Sequence, residues 1–433
     1  MMKFLNRIFS PACLIVSLLI LFYIFYKSEI ILKGIKSDYY LPYYIFSLGF
    51  IIFSFASFFL RKKLKEYLVI IILSLISGAY IFEGYTTFAT HENKKKDLFF
   101  QQTKKKYDTR SKLEIFKDLS KIEKNIKIAV GPNTYLDTDN KLFPLSGVSN
   151  SKTIYCNENG YYAVYLSDRY GFNNPDEEWD KKEIEYLLVG DSFTHGACVN
   201  RPNDIASILR NLSKKSVLNL GYAGSGPLIE YAILREYLKG NVKKVIWLYF
   251  EENDLYEFKH EINNKILRKY LNNKNFSQNL TKNQKIIDNI ANRMINSDLV
   301  KREKESSLKH KFIKFLKLYN LRFSLTPFPR PKPQSEFKML LREAKKIIEQ
   351  NNSKMYFVYL PEYGRYKNNL KNNNYFLIKK IVKEIGIPFI DINTEIFKKE
   401  ANPLNLFPFQ QRGHYNAKGY RKIAEILYKY TNK

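Results

Sequence analysis

Four short segments contain the side chains that could do chemistry together in this chain of 433 residues. They are GDSFTHG (190–196), NLGYAGSG (219–226), EEND (251–254) and RGHYNAKGY (412–420). A serine hydroxyl is a weak nucleophile and needs a base within hydrogen-bond reach. Ser192 is the candidate nucleophile, and His414 is the candidate base that takes its proton and later returns it to the leaving group. The segments therefore predict nucleophilic catalysis by a serine.

Five short apolar runs place these segments on a sheet. Continuous hydrophobic runs of this length are typical of parallel strands that are covered on both faces. Helical patterns lie between them, which indicates an α/β domain with a parallel sheet. Functional groups gather beyond the carboxyl ends of such strands, and three of the four segments follow a run directly. The runs are EYLLVGD (185–191), SVLNLG (216–221), KVIWLYF (244–250), KMYFVYLP (354–361) and IPFIDIN (387–393).

The four ordered segments resemble the SGNH, or GDSL-like, hydrolase superfamily over roughly residues 183–433. The resemblance implies a three-layer α/β/α fold with a flavodoxin-like parallel sheet. It also implies an oxyanion hole formed by the backbone N–H groups of Ser192 and Gly221 and by the side-chain amide of Asn253. Neither a metal nor an organic cofactor is implied.

One position departs from the pattern of that superfamily. Its members usually carry an aspartate two or three residues before the histidine, where this chain has Gln411 and Arg412. Such a carboxylate holds the tautomer of the base and stabilises its cation. Three alternatives stay open: a Ser-His dyad, an acid from elsewhere, with Asp391 and Asp254 as candidates, or an inactive descendant.

Several of these residues also have purely structural interpretations. Serine is a favoured helix cap, and capping alone would account for Ser192, although not for the four segments together. Asp191 is expected to be a hydrogen-bond acceptor in the turn. We assign His195 to packing or substrate contact, because the helix that begins at Ser192 should carry it away from the position of the base.

Three apolar stretches precede this region, at 11–26, 39–60 and 67–85. Crossing the hydrocarbon takes about 20 apolar residues, so the second and third stretches qualify and the first is marginal in length. We predict three transmembrane helices within residues 1–88. Basic residues at the N-terminus and in RKKLKE (61–66) place those ends in the cytoplasm. The protein is then a multi-pass protein of the inner (cytoplasmic) membrane with an extracytoplasmic C-terminal domain.

The rest of the chain is predicted to form two further parts. Residues 89–182 are interpreted as a stalk with a small strand-rich region, and residues 183–433 as the α/β domain with an insertion at 255–333. An insertion of this length is either a lid or binding loop, or a solvated helical decoration.

The cysteines give an independent indication of the compartment. Cys13 falls in the first apolar stretch, which leaves Cys156 and Cys198 as a pair. They form either a disulfide in an oxidising space or two unrelated thiols.

The net charge of the chain indicates which classes of partner it could bind. The chain carries +29 at pH 7, which favours anionic surfaces such as acidic glycans or lipid headgroups, although lysines scattered along the whole chain explain it equally well. Nucleic acid is not expected, because the sequence has neither a zinc-spaced cluster nor a phosphate-binding glycine loop.

An external domain of this kind behind membrane helices resembles enzymes that add or remove O-acetyl groups on cell-surface polysaccharides. The resemblance implies a serine-dependent ester hydrolase or O-acyltransferase that acts on an envelope polysaccharide. The bilayer and a carbohydrate are its expected partners. The alternatives are an inactive glycan-binding or assembly factor, and a cytoplasmic domain that acts on lipids or thioesters.

Overall fold

Two compact units make up the chain in the computed structural model, which describes residues 2–34, 37–88, 92–325 and 330–432. Met1–Thr90 and Lys311–Thr326 form the first unit. His91–His310 and Pro327–Lys433 form the second. The first unit therefore includes a segment from inside the predicted insertion.

Three long helices dominate the first unit: α1 (Met2–Phe25), α2 (Ser37–Ser57) and α3 (Lys62–Phe88). All three are long and apolar enough to cross a membrane. The first apolar helix runs for 25 residues, Arg7–Ile31, because α1 continues into a π-helical turn. Its length is therefore not marginal, as 11–26 alone suggested.

Serine side chains lie where α1 and α2 meet. Ser10 Oγ donates to the Ser57 carbonyl at 3.0 Å, and the hydroxyls of Ser54 and Ser17 are 3.4 Å apart. Small side chains let helix backbones approach closely, and their hydroxyls find partners inside the pair.

The second unit begins with two helices and a small sheet. The helices are α4 (Glu92–Thr103) and α5 (Lys112–Leu119), and the strands are β1 (Ile126–Ile128), β2 (Lys152–Ile154) and β3 (Val164–Leu166). Strand β2 runs parallel to β1 and antiparallel to β3. Because this region lies in the same unit as the α/β domain, the structure has no unit boundary at the predicted position 183.

A five-stranded parallel sheet forms the centre of the second unit. Its strands are β4 (Ile184–Gly190), β5 (Val217–Asn219), β6 (Val242–Phe250), β7 (Lys354–Leu360) and β8 (Phe389–Asp391). Their order across the sheet is β5-β4-β6-β7-β8, and every neighbouring pair is parallel. This is the doubly wound strand order of flavodoxin-like folds. The second strand, β5, lies on one side of β4, and β6, β7 and β8 follow on the other side.

Helices cover both faces of the sheet. The remaining helices are α6 (Ser192–His195), α7 (Ile205–Ser213), α8 (Pro227–Tyr237), α9 (Asp254–Glu261), α10 (Lys265–Asn272), α11 (Gln284–Ser306), α12 (Leu308–Leu316), α13 (Tyr319–Leu325), α14 (Ser335–Gln350), α15 (Tyr363–Lys367), α16 (Tyr375–Ile385), α17 (Ile392–Glu395) and α18 (Ala417–Thr431). Leu187 and Val189 of β4 join one core with α8, α14 and α16. Tyr186 and Leu188, on the opposite face because side chains alternate along a strand, join a second core with α7 and α18. The predicted three-layer α/β/α fold is confirmed.

The predicted insertion is divided between the two units. Leu267, Tyr270 and Ile287, in α10 and α11, are buried in the core beside the sheet. Lys311–Thr326 instead belongs to the unit that contains α1 to α3. The part of the insertion in α10 and α11 therefore contributes to the core.

Candidate active site

Ser192 lies where strand β4 gives way to helix α6. Asp191 caps this helix, with its Oδ1 accepting from the Phe193 amide at 2.9 Å, as expected of a turn acceptor. A Cβ at Gly190 would lie 2.2 Å from Thr194 Oγ1 and 2.7 Å from the Leu248 carbonyl. Only glycine therefore allows a turn tight enough to leave the Ser192 hydroxyl at the edge of the sheet.

His414 meets Ser192 from the other end of the domain. Its Nε2 lies 2.9 Å from Ser192 Oγ, across 222 positions of sequence. The next residue, Tyr415, is fully buried, and its hydroxyl donates to the Pro361 carbonyl at 2.5 Å. This anchor fixes the loop before α18, so the imidazole is held against the hydroxyl.

Glu158 is the carboxylate that approaches His414. Glu158 Oε1 lies 3.0 Å from His414 Nδ1, and Oε2 accepts from the His414 backbone amide at 2.6 Å. A carboxylate at Nδ1 favours the tautomer with its proton there, which leaves Nε2 free to accept from Ser192. Ser192, His414 and Glu158 thus form a continuous hydrogen-bonded chain.

The acids considered from sequence lie elsewhere. Asp391 Oδ1 accepts from the amides of Asn393 and Thr394, while its Oδ2 accepts from the Tyr375 hydroxyl. Asp254 is buried, with Oδ2 accepting from the Phe250 amide. Neither is bonded to His414, so both candidates are corrected to Glu158.

Glu158 comes from the region predicted to be outside the α/β domain. Its segment, NENG at 157–160, has no strand or helix periodicity, so no sequence pattern identified Glu158. The cysteines carried the relevant signal. Glu158 is two residues after Cys156, and a bridge from Cys156 to Cys198 brings it close to the Ser192 segment.

The structure contains that bridge. Cys156 and Cys198 are joined, with their Cα atoms 4.9 Å apart. Asn159 Nδ2 also donates to the Cys198 carbonyl at 2.9 Å. The loop that carries Glu158 is therefore fixed covalently and by a hydrogen bond to the segment that follows Ser192.

The two predicted oxyanion residues differ in their placement. Asn253 lines the cleft beside Ser192. Its Oδ1 is buried without a hydrogen-bond partner among the described residues. Gly221, in contrast, donates its N–H to Asn219 Oδ1 at 2.9 Å, and a Cβ there would meet Thr194 at 2.5 Å. Gly221 is thus packed under α6, and the prediction that it faces the oxyanion is corrected.

A cleft of about 330 Å³ opens beside the Ser192 hydroxyl. An ion pair between Arg412 and Glu252 lies on its wall. Burial, with a smaller contribution from the charge of Asp191, raises the pKa of Glu257 to about 7. The lining residues are Ser192, Phe193, Phe250, Glu252, Asn253, Glu257, Arg412, Gly413 and His414.

Charge and burial shift the pKa values of His414 and Glu158 in opposite directions. Burial alone would lower the pKa of His414, but the charge of Glu158 and its hydrogen bond outweigh burial and raise that pKa. Burial would raise the pKa of Glu158, but the imidazolium of His414 keeps it below its usual value. Each partner therefore stabilises the charged form of the other.

His195 does not take part in this chain. Its ring packs against Tyr155, Tyr165 and Tyr222, with centroids 4.6, 4.9 and 4.9 Å away. Burial lowers its pKa to about 3. It is a neutral packing residue, one of the two roles expected for it.

Three potential metal ligands also converge here. Single atoms of Glu158, Cys198 and His414 lie within 4.8 Å of one another. A metal-binding cysteine must be a thiolate, and the sulfur of Cys198 is bonded to Cys156. The oxidised protein therefore offers only the carboxylate and the imidazole, which are already bonded to each other.

Comparisons with known proteins add little to this geometry. No family model matches the chain, and no curated protein matches it. A protein from Desulfitobacterium hafniense DCB-2, described as lipolytic and of the G-D-S-L family, is 15% identical with a TM-score of 0.33 over 57% of this chain and 99% of its own. An acetyl xylan esterase is 11% identical with a TM-score of 0.32, over 57% and 99%. A protein from Lactobacillus plantarum is 12% identical with a TM-score of 0.29, over 58% and 98%. Values this low carry no argument about activity.

Proposed function

We propose that this protein is a serine-dependent ester hydrolase or O-acyltransferase. Ser192 is the nucleophile, His414 the general base and acid, and Glu158 the group that orients and stabilises His414. The observation that carries the proposal is the unbroken chain from Ser192 Oγ through both imidazole nitrogens to Glu158 Oε1.

The first half of the reaction transfers the acyl group to the enzyme. Ser192 Oγ forms a bond to the acyl carbon while its proton passes to His414 Nε2. The bond from the acyl carbon to the alcohol oxygen of the substrate then breaks. The departing oxygen receives the proton from Nε2, which leaves an acyl-serine and a free alcohol.

The second half regenerates the serine. A water molecule or a sugar hydroxyl gives its proton to Nε2 and attacks the acyl carbon, and the proton returns to Ser192 Oγ as that bond breaks. Water yields a carboxylic acid, whereas a sugar hydroxyl yields a new ester. The same three residues support both outcomes.

The tetrahedral intermediates of both halves carry an oxyanion. Its proposed donors are the side-chain amide of Asn253 and the backbone N–H of Ser192, at the start of α6. Donors that are already in place before the reaction stabilise this charge with little reorganisation.

The lining of the cleft supports a small acyl group on a hydroxyl-rich substrate. Phe193 and Phe250 lie beside Ser192 and offer apolar contact to an acetyl methyl group. Glu252, Asn253 and Arg412 offer polar partners for sugar hydroxyls. We therefore propose an O-acetylated or acetyl-accepting envelope polysaccharide, and the net charge of +29 favours an acidic one.

Helices α1 to α3 are the proposed anchor in the cytoplasmic membrane, with the second unit outside. The Cys156–Cys198 disulfide supports an oxidising compartment. An alkaline phosphatase fused to the C-terminus should be active in cells. A fusion that is inactive although expressed would place the domain in the cytoplasm.

The alternative of an inactive glycan-binding factor rested on the missing aspartate before His414. Glu158 occupies the place next to Nδ1 that the aspartate would take, so that reason no longer applies. No other observation favours the alternative over catalysis.

The test uses the full chain in detergent or nanodiscs. Wild-type protein should hydrolyse a small acetyl ester and react with a fluorophosphonate probe at Ser192. Ser192→Ala should abolish both, whereas Ser306→Ala, which removes an exposed hydroxyl, should abolish neither. Equal hydrolysis by wild type and Ser192→Ala would end the proposal.

A further inference from the structure

We infer that Lys311–Leu325 is a further membrane anchor, which lies in the bilayer interface at the C-terminal end of α3 and binds anionic lipid headgroups. The inference rests on the proposed membrane location of α1 to α3, but not on the proposed chemistry of Ser192.

The segment packs on the last turns of α3. The Tyr80 hydroxyl donates to the Leu316 carbonyl at 3.0 Å, and the rings of Tyr80 and Phe315 are 5.4 Å apart. Asn320 Nδ2 donates to Thr87 Oγ1 at 3.0 Å. These contacts cover the stretch from Tyr80 to Thr87, about 10 Å of helix at 1.5 Å per residue.

Glu83 gives the physical reason for this contact. It lies in an apolar helix and is fully buried. A carboxylate in such a place is costly unless it is paired. Its oxygens accept from the Asn320 amide at 3.0 Å, from Asn320 Nδ2 at 3.0 Å and from the Leu321 amide at 2.9 Å. The segment at 311–325 thus supplies three hydrogen-bond donors to this carboxyl group on α3.

The length of α3 places the contact at the interface. Its candidate membrane span covers 26 residues, Lys62–Thr87, or about 39 Å. The hydrocarbon core is about 30 Å thick, so the charged start of the span, Lys62–Glu66, and its last residues extend into the headgroup region. Tyrosine is enriched at that depth, in agreement with Tyr80 and Tyr85 near this end.

The outer side of the segment has the composition of an interfacial helix. Phe312, Leu316, Phe323 and Leu325 are 60%, 49%, 70% and 73% exposed. Aromatic and leucine side chains at this exposure fit the boundary between headgroups and acyl chains. The apolar surface also continues that of α3, where Leu75 and Ile81 are 68% and 73% exposed.

Its charge is complementary to anionic lipid. Residues 311–325 contain Lys311, Lys314, Lys317 and Arg322 and no acidic residue. Basic residues near an anionic surface are attracted to its headgroups.

Nitroxide quenching in nanodiscs tests the depth of the segment. A chain with Cys13→Ala and Phe323→Cys is labelled with a fluorophore, and the disulfide leaves no other reactive thiol. Leu75→Cys reports the middle of α3, and Lys380→Cys, at a side chain of α16 that is 74% exposed, reports solvent. Lipids carry the nitroxide either near the headgroup or deep in the acyl chain. A Leu325→Cys label serves as a second reporter.

The label at 323 should be quenched roughly two-fold or more beyond the label at 380, and best by the shallow nitroxide. Quenching at 75 but not at 323 or 325 overturns this inference and leaves the membrane location intact. Absence of quenching at 75 overturns the membrane location and this inference together. Neither result depends on enzymatic activity.

Thermal unfolding tests the lipid charge. Adding an anionic phospholipid to the detergent-solubilised full chain should raise its Tm more than adding a zwitterionic one. The triple variant Lys311→Gln, Lys314→Gln and Lys317→Gln should lose most of that difference. An equal response of wild type and variant overturns the headgroup contact.

Discussion

Glu158 Oε1 lies 3.0 Å from His414 Nδ1, although 256 positions separate the two residues in sequence. The same carboxylate accepts from the His414 backbone amide, so it fixes both the ring and the loop that carries it. The carboxylate bonded to this imidazole thus comes from an upstream loop and not from the residues just before the histidine.

The first prediction concerns this acid. Glu158→Gln keeps the shape of the side chain but removes the charge that stabilises the imidazolium, so kcat should fall by on the order of 10² to 10⁴-fold. Glu349→Gln, a change of the same kind at an exposed glutamate, should leave kcat unchanged. Steady-state kinetics on a small acetyl ester measures both. An unchanged kcat in Glu158→Gln would show that a Ser-His dyad suffices.

The second prediction concerns pH. His414 must be neutral to accept the serine proton, and its pKa is raised above 6.5. The acid limb of kcat/KM should therefore lie above pH 6.5. In Glu158→Gln the raising charge is lost while burial still lowers the pKa, so the limb should move to lower pH. A limb that moves to higher pH, or not at all, would contradict the assignment.

The same shifts give the direction of the stability change. The raised pKa of His414 stabilises the folded state fully below about pH 6.5, and this contribution is lost as pH rises through the folded pKa. The lowered pKa of Glu158 has the opposite pH dependence. It stabilises the folded state at pH values above the usual pKa of a glutamate, and this contribution is lost as pH falls through the folded pKa.

The third prediction concerns the disulfide. Its loop of 42 residues corresponds to about 4 kcal/mol of unfolding free energy in the chain-entropy model. Cys156→Ser with Cys198→Ser should lower the stability by about that amount. It should also lower kcat at temperatures where the variant is folded, since Glu158 is then released. Cys13→Ser serves as the control, and chemical denaturation with kinetics on the folded protein gives both values.

The fourth prediction concerns Asn253. Asn253→Ala removes a proposed oxyanion donor, so kcat should fall by about 10² to 10³-fold while KM changes little. Asn263→Ala removes an exposed asparagine and should change neither constant. A rise in KM at constant kcat would instead mean that Asn253 binds substrate.

The fifth prediction concerns the glycine before the base. A Cβ at Gly413 would lie 2.6 Å from Glu158 Oε2, so Gly413→Ala must displace the carboxylate. We expect at least a tenfold fall in kcat with little loss of stability, because the displaced atoms end a flexible side chain. At Gly240 the nearest atom would be 3.8 Å away, so Gly240→Ala is the matched control. Wild-type activity in Gly413→Ala would refute the close fit.

The local pattern of the sequence was sufficient for the layers and for two of the three residues in the hydrogen-bonded chain. Continuous apolar runs predict covered parallel strands, and each strand of the central sheet falls within or overlaps one of them. Ser192 after β4 follows from the same reasoning, and His414 before α18 was predicted from the resemblance of the four ordered segments. Side chains at strand ends must meet at one edge of a parallel sheet, whatever the details of packing.

Tertiary structure alone decided the acid, the place of Gly221 and the division of the insertion. Glu158 lies in a loop without periodicity, and it reaches His414 only because a disulfide and the small sheet pack that loop beside Ser192. Gly221 lies against α6, where a Cβ would be 2.5 Å from Thr194, and its N–H donates to Asn219 Oδ1. Residues 311–325 joined the first unit because Glu83, buried in an apolar helix, required hydrogen-bond donors. Such contacts depend on distances between remote segments, which no local pattern of residue types encodes.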